Sequence, residues 1–283
     1  MKIIDSNDLN ILNLYIAIKN AGLPTDLFIE NIKTLKIEGI SQEELSKLGC
    51  HEYCSAAYSP YDNVFYYNKE KLLRNRTKNH ELIHCASTNN QKIRKQQFEK
   101  YKNLEFIPSC GISSFLPGGL EFGKSLNEGL TEFFRSMFVP EVEEKNEIHV
   151  VYIEMMSTMA LIMIVIGFKE LYTLLLNNDS YGFYETMDKC FGKKWINIIY
   201  NCDTSFDYQL KYNDKAKDKI VDLIRLKYQL EIINGALKYT KDFDENYDIF
   251  EKYFDIFYSE NSFNRKVLSY RLKNLKKKYE KKK

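Results

Sequence analysis

Asn79-His80-Glu81-Leu82-Ile83-His84 is the segment whose residue types and spacing can do chemistry. On a helix, residues four apart are separated by about 400°, about 40° past a full turn, so His80 and His84 share one face. Two imidazoles so placed can bind one Zn²⁺ at tetrahedral angles. Glu81 sits about 100° round the helix, beside the metal rather than on it. There it can take a proton from a water that the metal activates. With four His and 24 Glu in the chain, His-Glu-x-x-His arises by chance in roughly one such chain in two hundred.

A catalytic zinc needs a third protein ligand and an open position. One known extension of the motif places Gly and His further along the same helix; here those positions are Ser87 and Asn90. The third ligand must therefore come from elsewhere: His51, His149 or a carboxylate. Glu128 is the best candidate, in Ser125-Leu126-Asn127-Glu128-Gly129-Leu130-Thr131-Glu132. Glu128 and Glu132 are again four apart on one helix face. One carboxylate can ligate while the other hydrogen-bonds a ligating imidazole, fixing its tautomer.

His80-Glu81-x-x-His84 with a downstream Asn127-Glu128-x-x-x-Glu132 resembles the gluzincin, or thermolysin-like, metallopeptidases over roughly residues 50–140. The resemblance implies that His80, His84 and Glu128 are the zinc ligands and Glu81 the general base. Glu132 stands where that family has Asp. The same segment, followed by Tyr152-x-Glu154 and Ile166-Gly167, is also similar to a group of uncharacterised bacterial zincin-like proteins. The family mechanism needs a group that stabilises an oxyanion, and Tyr152 and His149 are the candidates. It also binds substrate backbone along an edge strand, for which Asn63–Tyr67 is the expected segment.

The elements that position these residues follow from pattern. Residues 6–20, 25–35 and 41–48 read as short helices, making 1–48 an N-terminal helical segment. Tyr53–Tyr67 is rich in Tyr, Val and Phe around a Ser-Pro-Tyr-Asp turn and reads as a β-hairpin. A helix is expected over about 69–88, strand and loop over about 100–120, and the ligand helix over about 126–138. One long apolar helix is expected over about 149–177, and 181–283 is helical in pattern. The expectation is an α+β, predominantly helical fold: a zincin-like catalytic core over 49–180, containing a small β-sheet, and a helical C-terminal region over 181–283.

The chain has 283 residues, 44% apolar and 28% charged, which excludes collagen-like, disordered and disulfide-dense classes. Its net charge of +2 implies no polyanionic partner, although residues 265–283 alone carry +9 and the remainder −7. That basic tail reads as a solvated helix end, and no nucleic-acid partner is expected. Met155–Phe168 has no charge over its length but is shorter than the about 20 residues a spanning helix needs, so no membrane span is expected. The first residues lack a signal-peptide pattern, and six Cys without regular spacing fit a reducing compartment, so a cytoplasmic location is expected. Cys50 and Cys54 lack a second Cys pair to close a structural zinc site, and Cys85 reads as core.

These readings converge on a zinc metallopeptidase with one catalytic zinc and a peptide or protein substrate. The alternative is a catalytically inactive zincin-like module that contacts a protein or nucleic-acid partner through the basic tail.

Overall fold

The computed structural model describes residues 2–3, 9–50, 54–89, 96–97, 105–139, 150–211, 215–239, 243–260 and 262–281. The fold is α+β and predominantly helical. By packing it divides into two compact units, Met1–Ile148 with Tyr172–Ser180, and His149–Leu171 with Tyr181–Lys283.

The first unit opens with β1 (Lys2–Ile3), α1 (Leu9–Asn20), α2 (Asp26–Thr34), β2 (Lys36–Ile40) and α3 (Gln42–Lys47). The N-terminal segment is thus not purely helical. Its Lys36–Ile40 stretch pairs in parallel with Val64–Asn68, because a five-residue run after α2 finds a partner strand that local periodicity does not reveal. The hairpin β3 (Ala56–Ser59) and β4 (Val64–Asn68) completes a sheet of order β1-β2-β4-β3. The turn is closed by Asn63 in the left-handed region (φ 51°), and its buried side chain donates to Asn31 O and Thr34 Oγ1, both at 2.8 Å. An Asn tolerates that backbone better than most L residues.

Then come α4 (Asn75–Ala86) and a second small sheet of β5 (Gln96–Gln97), β6 (Glu105–Pro108), β7 (Ser114–Phe115) and β8 (Glu121–Phe122), followed by α5 (Lys124–Phe138). α4 packs against α1, α2, β3 and α5. Its second half is buried on every side, Leu82, Ile83, Cys85 and Ala86 included. A buried helix end leaves carbonyls that need donors, and α2 supplies them: Asn31 Nδ2 donates to Cys85 O (2.7 Å) and Thr88 O (2.8 Å).

The second unit is helical: α6 (Val150–Ile166), the start of α7 (Phe168–Leu176), then α8 (Ser180–Phe191), α9 (Trp195–Lys211), α10 (Lys215–Tyr239), α11 (Phe243–Phe257) and α12 (Phe263–Glu280). The expected long apolar helix is broken at Gly167, whose φ of 99° no ordinary L residue adopts cheaply. Among the described residues no single helix is long and apolar enough to cross a membrane. The core of this unit is aromatic, with Tyr184 stacked on Trp195 at 5.1 Å. Gly235 of α10 lets the end of α8 approach, since a Cβ there would lie 2.5 Å from the Phe191 ring.

Candidate metal centre

Two helices of the first unit build the centre. On α4, Arg76, His80 and His84 follow one another at four-residue steps, so they line one face. On α5, Glu128, Glu132 and Arg135 do the same at steps of four and three. The two faces meet. His80 Nε2 lies 3.0 Å from Glu128 Oε2 and 3.1 Å from His84 Nε2, and His84 Nε2 lies 3.3 Å from Glu128 Oε1. The three side chains form a group that could hold a metal ion. Donors about 2.0–2.1 Å from one tetrahedral ion stand about 3.3 Å apart, so these separations suit a single small cation. Both imidazoles are buried.

The second carboxylate does what its spacing suggested. Glu132 Oε2 lies 3.2 Å from His80 Nδ1, which directs Nε2 of that ring toward Glu128 and His84. Glu132 is itself buried and clamped: Arg135 donates from Nε to Oε2 (2.8 Å) and from Nη2 to Oε1 (2.9 Å), and Arg76 donates to Oε1 (2.5 Å). Burial opposes ionisation of Glu132, but its hydrogen bonds from His80 and Arg135 and their charges hold the carboxyl far below the usual range.

The electrostatics select for positive charge at the centre. Burial opposes ionisation of Glu128 too, yet the charge of His84 and hydrogen bonds from both imidazoles keep its carboxyl well below the ordinary value. Burial would depress His80, but its bonds to Glu128 and Glu132 carry it up to about 9. Burial would depress His84 as well, but the Glu128 carboxylate and the neighbouring Cys110 sulfur carry it well above its ordinary value, so the surroundings outweigh desolvation at each imidazole, a balance that favours cations.

Glu81 points elsewhere on α4, as its place in the motif requires. Burial pushes its carboxyl up, opposed by the charges of His80 and His84 and helped by Glu128. Its Oε2 accepts the Tyr58 backbone N–H at 2.9 Å. That amide faces outward from β3. Asn68 N donates to Ser55 O, so in the alternating antiparallel ladder Ala57 and Ser59 turn toward β4 and Tyr58 turns away.

The expected substrate-binding segment needs correction. β4 is paired on both sides, by β2 and by β3. Of the two edge strands, β1 and β3, it is β3 that packs beside α4. Sequence signals cannot separate the two arms of a hairpin by position in the sheet.

The chain matches no known family, no curated protein and no solved structure. The geometry of the site therefore carries the functional argument. Of the expected site residues, His80, His84, Glu128 and Glu132 come together and Glu81 stands beside them. His51 and His149 lie outside the described residues. Tyr152 lies in α6, with its side chain outside the description.

Four groups at the centre had no place in the motif reading. Arg76 and Arg135 were legible as helix-face neighbours of His80 and Glu132. Glu121, on β8, has its carboxyl raised by burial, with Lys124 Nζ at 3.8 Å opposing and the charge of Glu128 adding to the rise. Cys110, in the loop before β7, brings its sulfur to 3.5 Å from His84 Nδ1. Glu121 and Cys110 reach the site through tertiary packing, and no spacing in the sequence announces them.

Proposed function

We propose that this chain is a zinc-dependent metallopeptidase of the gluzincin type, with His80, His84 and Glu128 as ligands and Glu81 as general base. The observation that carries the reading is the convergence of two buried imidazole Nε2 atoms and one carboxylate, 3.0–3.3 Å apart. Two nitrogens and one oxygen is the donor set of hydrolytic zinc, and the carboxylate on the same helix is the base such chemistry uses.

When bound, zinc supplies a Lewis acid that polarises a carbonyl and makes a water acidic near neutral pH. The chain's own residues supply the rest. Glu81 is oriented by the Tyr58 N–H at Oε2, which leaves Oε1 to receive a proton. Burial raises the proton affinity of that carboxylate, which brings a Glu nearer the range useful for a base at neutral pH. The proton it holds can then pass to a departing amine. Glu132, Arg76 and Arg135 fix the His80 ring. Among the described residues β3 has no strand on its outer side, and a peptide added there would have to share or displace the Tyr58 amide that Glu81 now holds.

The test is peptide hydrolysis by the zinc-loaded protein against a mixed peptide library. Cleavage that disappears in Glu81→Gln while zinc content is retained supports the reading. Cleavage that persists unchanged in Glu81→Gln contradicts it. A zinc-loaded protein that cleaves nothing favours the inactive binding module.

A further inference from the structure

The two imidazoles of the centre are backed by different chemistry, and the difference identifies a residue that orients one of them. His80 Nδ1 has the Glu132 carboxylate. His84 Nδ1 has two neighbouring polar atoms at 3.5 Å, Asn127 Nδ2 and Cys110 Sγ. His84 faces His80 and Glu128 through Nε2. A neutral imidazole that ligates through Nε2 carries its proton on Nδ1, and that N–H needs an acceptor in a buried site.

Asn127 cannot be that acceptor. Its Oδ1 accepts the Ile112 backbone N–H at 3.1 Å, which fixes which end of the amide is oxygen. The end facing His84 is therefore the NH₂, a donor. The contact with Gly111 seals this arrangement: a Cβ at 111 would lie 2.1 Å from Asn127 Oδ1. The sulfur is the remaining partner.

Cys110 is held where it must be. It is buried, and its loop is tied by Gly111 N–H to Ser87 O (2.7 Å) and by Asn178 Nδ2 to Gly111 O (2.9 Å). Its S–H can donate to the His84 backbone carbonyl, 3.3 Å away. The same sulfur can then accept from the ring, so one thiol grips both ends of the residue. Thr88 Oγ1 and Ser87 Oγ, each 3.4 Å from the sulfur, complete its polar surroundings.

We propose that Cys110 is the positioning residue for His84, its sulfur accepting the Nδ1 proton and so directing Nε2 into the metal centre. This rests on reading His80, His84 and Glu128 as a metal centre. A thiol is a weaker and uncharged acceptor than the carboxylate behind His80. The His84 arm of the centre is therefore the softer one.

The experiment measures zinc affinity by chelator competition for the wild type and for Cys110→Ser, Cys110→Val and Cys110→Ala. Ser keeps an acceptor but loses volume; Val keeps the volume but loses the acceptor. The proposal expects Val and Ala to weaken zinc binding roughly 10- to 100-fold, the usual effect of losing such a partner, and Ser to recover most of it. A packing role predicts the reverse order, with Val near wild type and Ser weakened, and that order would overturn the proposal. Should the Val variant not fold, the Ser and Ala pair decides: equal affinities overturn it. The cobalt-substituted forms give a second readout, since their visible spectrum reports ligand geometry and should shift in Val and Ala but not in Ser. Wild type that binds zinc while Val binds it equally well ends the Cys110 proposal alone. Wild type that binds no zinc ends the metal centre with it.

Discussion

Each half of the molecule holds a charged network, buried at the α4–α5 face and part-buried in the helical unit, and the two are built on opposite principles. In the helical unit, Arg225 lies between the carboxylates of Glu154 and Asp222, and Gln209 donates to Glu154. Around it Tyr228 meets Thr158 at 3.1 Å and Tyr258 donates to Gln229 at 2.6 Å. There the cation of the network is an arginine already between its acids. At the α4–α5 face, two imidazole nitrogens and a carboxylate point at one another, and the arginines stand behind Glu132 rather than among the three donors. Acceptors that converge on a point call for a cation there, whereas an arginine set between acids does not. Opposite charges in close contact are common to both regions; the direction of the lone pairs separates a structural network from a candidate metal centre.

That contrast can be broken or sharpened by substitution. The largest effect should come from Glu81→Gln, which removes the proposed base without touching a proposed ligand: peptide hydrolysis should fall by about 10²–10⁴ in kcat, with zinc per chain unchanged by elemental analysis. Next, Glu132→Ala strands the buried Arg135 and the His80 ring. Urea unfolding should show a loss of about 3–5 kcal/mol, and zinc affinity should drop about 10- to 100-fold.

The same network gives a pH signature in metal-stripped protein. His80 is raised from 6.5 to about 9, so its contribution is fully present below pH 6.5 and is lost as pH rises through 9. Thermal melts of the stripped protein should show Tm falling across that window. The zinc-loaded form should lack this fall, because the metal takes the place of the proton.

In the helical unit, Arg225→Met leaves a partly buried Glu154 without its cation and should cost about 1–3 kcal/mol, with zinc content unaltered. The double variant Glu154→Leu with Arg225→Met should restore most of that stability. A double variant that remains as unstable as the single one would blur the distinction between the two regions. Gly111→Ala should cost at least about 1 kcal/mol by urea unfolding, since its φ of 59° suits glycine and the added methyl would lie 2.1 Å from Asn127 Oδ1.

Much of this was legible from spacing. His80, Glu81 and His84 announce their own geometry because a helix converts a four-residue step into a shared face. Glu128 and Glu132 do the same, since a one-turn offset puts both on one face, while the choice of Glu128 as the ligand is what the resemblance to the gluzincins implies. What sequence could not supply depended on tertiary approach. Lys36–Ile40 became a strand because Val64–Asn68 lay beside it. Asn63–Tyr67 proved to be an inner strand because pairing partners are not written in either arm. The apolar run from 150 to 176 divided at Gly167 through a single backbone angle. Cys110 came to His84 from a separate loop, carried by Gly111, Asn127 and Asn178, none of which has a periodic signature.

The central claim is that His80, His84 and Glu128 hold one metal ion. Elemental analysis of wild type and Glu128→Ala, purified together and exchanged into the same zinc-containing buffer, tests it most directly. The account predicts one zinc per chain in the wild type and little or none in the variant. No zinc in the wild type, or full retention in Glu128→Ala, would contradict it.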